Sequence, residues 1–174
     1  EGLEVVEQAG PDRMSDGRKT HVHTTLLVLA KRVPEARIKI AERLDVVANR
    51  LLASHICENP SDAMVLLDDG DWSSATRDEE LWRELLRLES RKALHPDVDV
   101  SPELELLIAK YPERLPPLIA LGRQCETQAA VDAAADRIMV AITPEMPFRD
   151  YLLAGEWMHH AHKFRQLADL LAGG

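Results

Sequence analysis

Residues 109–144 read AKYPERLPPLIALGRQCETQAAVDAAADRIMVAITP, a stretch opened and closed by an alanine that stands three positions ahead of a proline. Between Pro112 and Pro144, the residues Leu118, Leu121 and Gly122 are followed by Cys125, and then by Ala129, Ala134, Ile138 and Ala141. These spacings keep one face of each of two helices small or apolar. A small residue at Gly122 facing another at Ala134 predicts two antiparallel helices in close approach, with Pro144 stopping the second.

The pattern resembles a tetratricopeptide repeat, which carries a leucine-glycine pair in its first helix and an alanine with a large apolar residue in its second. Leu118 stands where that family often has Trp, Cys125 where it often has Tyr, and the closing proline comes early. A second copy lies on Leu153, Ala154, Gly155, Met158, Ala168 and Leu171, with Gly155 falling 33 positions after Gly122. The resemblance covers residues 101–174 and implies stacked hairpins whose first helices line a groove. It carries the groove role onto Ile119, Arg123 and Glu126, and onto Arg149, Leu152, Glu156 and His159. Arg123 and Arg149 would engage a carboxylate of an extended peptide, with Ile119 and Leu152 in apolar contact.

A chain of 174 residues with 45% apolar content has enough material for one sizeable core. Aromatics make up only 4%, so Leu and Ala carry the apolar load, which suits close helix packing better than a sheet. Residues 1–174 are therefore expected to form a single all-α domain of about seven or eight helices, with 1–20 loosely held. No apolar run approaches a membrane span and no signal peptide opens the chain, so a soluble, cytoplasmic protein without a membrane partner is expected. A first residue other than Met is expected of a domain taken from a longer polypeptide. Cys57 and Cys125 are too few for a disulfide framework or a metal knuckle and read as buried apolar fillers.

The net charge of −9 is unevenly placed: residues 58–105 hold 5 Lys/Arg against 14 Asp/Glu, and the flanking segments nearly balance. Phosphates would be repelled by that segment, so no nucleic-acid partner is expected, and a basic protein is the natural complement. An acidic neutralising partner of a basic protein is one reading of this charge; a solvated face is the other.

Along the chain, Leu3 to Gln8 reads as a short helix, followed by a polar connection through Asp16-Gly17. An apolar helix is expected from His21 to Val33, ended or kinked by Pro34, and the next is expected to run to Ile56 on Ile40, Leu44, Val47 and Leu51. Asp68-Asp69-Gly70-Asp71 lacks the ligand alternation of an EF-hand and reads as an acidic turn. Thr76-Arg-Asp-Glu79 is a capping box and the firmest helix start. Ser101-Pro102 supplies another cap with a first-turn proline.

Chemistry-bearing motifs are sparse. Glu156, His159 and His162 follow one another at three-residue steps and could point one way from a helix, like half of a di-iron site, but no second half exists. No Gly-x-Ser-x-Gly, no phosphate loop and no cysteine with a basic neighbour occurs. The expectation is a non-enzymatic protein-protein interaction or scaffolding module, with no cofactor and a protein or peptide partner. The alternative is a helical-bundle metal protein or enzyme built on Glu156, His159 and His162.

Overall fold

The structure is a computed structural model that describes residues 15–173. Among these there are ten α-helices, one 3-10 turn and no strand, so the fold is all-α with slightly more helices than the periodicity predicts. The expected helix Leu3 to Gln8 lies outside the described residues. The chain divides into two compact units, one ending at Val98 and one beginning at Asp99.

The first unit opens on α1 (Asp16–Leu29), whose start Ser15 caps by accepting from the Arg18 amide at 3.4 Å. Asp16 and Gly17 are thus helical instead of a polar connection, because a serine cap and an acid in the first turn outweigh the glycine. The helix ends before Pro34: Lys31 takes a left-handed φ of 60°, and the amides of Lys31 and Arg32 close back onto Val28 and Leu27 at 2.9 and 2.8 Å. Pro34 then sits in the first turn of α2 (Val33–Ile40), where its missing N–H costs nothing.

The long helix expected to reach Ile56 is broken. A 3-10 turn at Ala41–Arg43 is followed by an extended Val46 (φ −91°, ψ 124°) before α3 (Val47–His55) begins. Two side chains that a periodicity count treats as helix surface cause the break. The Asn49 amide donates to the Arg43 carbonyl at 3.0 Å and to Gly17 O at 3.3 Å, and Arg50 Nη2 donates to Leu44 O at 2.8 Å. Both carbonyls are thereby satisfied outside a helix ladder. With its nitrogen donating, Asn49 presents its oxygen to His21 Nδ1 at 3.2 Å, so that ring nitrogen carries the proton.

Helices α4 (Pro60–Asp68) and α5 (Arg77–Leu94) complete the unit, with α3 packed on both. The capping box forms as predicted: Thr76 Oγ1 accepts from the Glu79 amide at 3.2 Å and Glu79 accepts from the Thr76 amide at 2.8 Å. The acidic turn between them folds over Arg50. Gly70 has φ of 122°, and a Cβ there would stand 2.5 Å from the guanidinium carbon. Arg50 is buried, donates to Asp71 O at 3.1 Å and lies 5.2 Å from the Trp72 ring centre, with Arg83 at 4.4 Å from the same ring. A buried guanidinium needs this degree of satisfaction. Leu27, Ala36, Ile40, Ala53 and Ile56 form the core beneath.

The second unit contains α6 (Ser101–Lys110), α7 (Pro116–Arg123), α8 (Gln128–Ala141), α9 (Phe148–His160) and α10 (Phe164–Gly173). Ser101 is the first helical residue and not the cap; the Asp99 carboxylate accepts its amide at 2.9 Å. Helices α7 and α8 form one hairpin and α9 and α10 a second, with α7 packed on α9 and α8 on α10. Leu115, Leu118, Ala135, Ile138, Ala154 and Met158 fill the space between them. At the start of α9, Asp150 is fully buried and accepts both Arg114 Nε at 2.9 Å and Nη2 at 3.0 Å, with the Leu115 amide at 3.1 Å. The α6–α7 connection is thereby tied to the second hairpin.

The close approach at Gly122 is real but has a different partner from the one expected. A Cβ at Gly122 would lie 2.7 Å from Trp157 Cζ2 and 3.0 Å from Cε2, so the backbone of α7 rests on the indole of α9. Ala134 is 5% exposed, inside the same core. The small residue serves the contact between hairpins, which a single-hairpin reading does not see.

Candidate functional site

Helix α9 carries most of the residues singled out from sequence. Ala154, Trp157 and Met158 face the core, so the complementary positions Arg149, Leu152, Glu156 and His159 point outward, and all four are exposed. Phe148 joins them one turn ahead of Leu152; the two are 75% and 58% exposed, which puts large apolar surface in a charged row.

From the first hairpin, Arg123 and Glu126 are exposed at the end of α7 and in the turn beyond it. Ile119 is 2% exposed and belongs to the core. It cannot line an open groove, because residues 116–120 and Gly122 of α7 are all buried and leave that part of the helix no open face.

A cleft of about 370 Å³ brings Arg123 and Glu156 together, one from each hairpin. Its apolar part comes from Gly122, Val131, Trp157 and Ala161, and its rim also carries Gln128, His160 and His162. Arg149 and Leu152 are not among its walls. Sequence reasoning missed Trp157, Gln128 and His160, and singled out His162 only as a metal candidate beside Glu156 and His159. His160 could have been found, since it stands one turn after Glu156, whereas His162 is placed by a feature of the chain reversal. After α9 the amides of His162 and Lys163 close back onto His159 and Met158 at 3.1 and 2.8 Å, and His162 takes φ of 56°. Lys163 pairs with Asp132 of α8, which in turn accepts Gln128 Nε2 at 3.0 Å, fixing one wall of the cleft.

His159 is not among the cleft walls; its ring packs edge-on against His160 of the rim at 5.6 Å and against Phe164 at 6.2 Å. Among the described residues no group of three or more His, Cys, Asp or Glu side chains is placed to hold a metal ion, so Glu156, His159 and His162 do not converge.

The first unit has a cleft of about 380 Å³ between α1 and the α2 end, with Lys19, His23, Lys39 and Arg43 facing Asp16 and Glu42. Much of that charge is matched locally: Lys39 donates to Glu42 at 2.8 Å, and Arg43 grips Asp45 through two bonds of 2.9 and 3.0 Å. The Arg43 hydrogen bonds hold the Asp45 carboxyl below its ordinary range. The acidic excess of 58–105 is also partly spent on arginines from outside it, with Arg37 on Glu58 and Arg137 on Glu105 at 2.8 Å, while Arg87 within it pairs with Asp68 at 2.9 Å. Cys57 and Cys125 are half-buried and unpaired, less enclosed than expected. Burial is the main cause that pushes the Cys57 thiol up, so it is a poor nucleophile.

Among the described residues no helix is long and apolar enough to cross a membrane. No protein-family model, no curated protein and no solved structure matches the chain significantly.

Proposed function

We propose that this chain is a protein-interaction module and that its second unit receives an extended peptide along the outer face of α9. One observation carries this reading: Phe148 and Leu152 stay exposed beside Arg149, Glu156 and His159 on a helix whose other face is packed by α7 and α10. The paired packing of α7 on α9 and α8 on α10 supports a tetratricopeptide-like stack, in which first helices offer the recognition face. Arginines at 123 and 149 suit a peptide carboxylate, and Leu152 supplies apolar contact in place of Ile119. The partner in this reading is a protein or peptide, not a nucleic acid, and the site is non-enzymatic. A cytoplasmic location goes with it, supported by two unpaired cysteines.

The test is selection of random extended peptides on the intact chain, with each binder re-measured on Arg123→Ala/Arg149→Ala and on Leu152→Asp. Loss of at least about tenfold in both, roughly 1.4 kcal/mol or more, is expected at an unchanged thermal midpoint. Equal affinity for the wild type and both variants would remove α9 from the reading.

A further inference from the structure

Helix α10 is covered on one side only. Leu167 packs against the core of the second unit, where α8 and α9 meet the helix, whereas Phe164, Ala168 and Leu171 are exposed. Phe164 and Leu171 keep 57% and 75% of their surface open. The three follow one another at steps of four and three residues, so they form one stripe along the helix. At about 3.6 residues per turn, Arg165 and Asp169 fall together on one flank of that stripe, and both are exposed. In a stack of hairpins an outer face left to water is polar. This face is apolar along its middle and bordered by one charge of each sign.

We propose that two copies of the chain associate through α10, each laying its stripe antiparallel on the other's across a two-fold axis near Ala168. A two-fold contact sets one patch against itself, so the patch must be its own complement. The α10 stripe meets that condition twice. With the axis near Ala168, Phe164 of one copy lies beside Leu171 of the other, so apolar surface covers apolar surface. Residues on one flank of an antiparallel pair meet the same flank of the facing helix, which brings Arg165 of each copy to Asp169 of the other. Flanking charges of this kind set partner and orientation in paired helices. A second copy is favoured over an unrelated peptide because these residues supply both halves of each ion pair. One helix face per copy falls short of the roughly 1,000 Å² that a stable interface buries in total, so the dimer is weak and depends on concentration. The inference goes beyond the peptide reading and leaves Phe148 and Leu152 of α9 outside the contact.

The experiment is sedimentation equilibrium of the intact chain from about 10 μM to about 1 mM, the range in which so small a contact should associate. A monomer–dimer equilibrium is expected. Because the axis counts each change twice, Leu171→Asp should weaken it at least about tenfold, and Arg165→Asp at least about threefold, at unchanged thermal midpoints. The charge swap Arg165→Asp/Asp169→Arg re-forms both pairs and should restore the wild-type constant, and Leu152→Asp should leave it unchanged. A chain that stays monomeric throughout, a dimer indifferent to Leu171→Asp, or a swap no better than Arg165→Asp alone each overturns the proposal. So does a dimer lost in Leu152→Asp and kept in Leu171→Asp, which would move the contact to α9.

Discussion

Gly122 and Trp157 show how much of the second unit depends on single positions. Adding one methyl at Gly122 puts it 2.7 Å from an indole carbon inside a packed core, so Gly122→Ala should cost about 1–3 kcal/mol by overpacking. Trp157→Phe removes the ring that the methyl meets. In a double-mutant cycle by urea unfolding the two changes should therefore couple, and strict additivity would mean that α7 does not rest on α9. Asp150 is the second such position. It is fully buried, and removing it takes the two-point carboxylate contact from Arg114, which is 11% exposed, so Asp150→Ala should cost about 3–5 kcal/mol by the same measurement. His162 points the other way. Relieving a left-handed non-glycine residue should make His162→Gly more stable by about 1 kcal/mol, and Lys31→Gly should gain similarly, both read as a raised thermal midpoint. Of these residues, Gly122 was legible in the sequence as a close-approach glycine, but its partner was not. A partner 35 positions away in the next hairpin leaves no local signal.

At the scale of elements, starts were easier to read than continuities. The Thr76-Glu79 box states its hydrogen bonds in the sequence, because both partners lie within one turn. Thr76→Ala should cost about 0.5–2 kcal/mol, and amide exchange should rise in the first turn of α5 while the last turn is unaffected. The broken segment between Ile40 and Val47 was illegible for the opposite reason. Apolar spacing continues through Leu44 and Val47, and the interruption is decided by Asn49 and Arg50 reaching back six residues to carbonyls. Periodicity counts which face a residue occupies and is blind to where its polar atoms bond. A related blindness placed Ile119 in a groove: the repeat register was carried onto a helix whose residues 116–120 and 122 are all buried by its neighbours.

On the scale of the whole molecule, composition spoke plainly about class. Few aromatics and abundant Leu and Ala go with an all-α chain, and the structure is all-α over the described residues. Charge spoke less plainly. The −9 of residues 58–105 is real, yet Glu58 and Glu105 pair with Arg37 and Arg137 from outside the segment, so a formal excess in sequence exceeds what is open to a partner. The exposed row on α9 combines apolar and charged side chains on one helix face, and the central claim is that a peptide lies there. The most direct measurement is amide hydrogen exchange on the intact chain with and without a peptide selected on it. New protection is expected along residues 148–160 and at the end of α7 around Arg123, with the first unit unchanged. Protection confined instead to the acidic segment of α4 and α5, with α9 exchanging as before, would contradict the account.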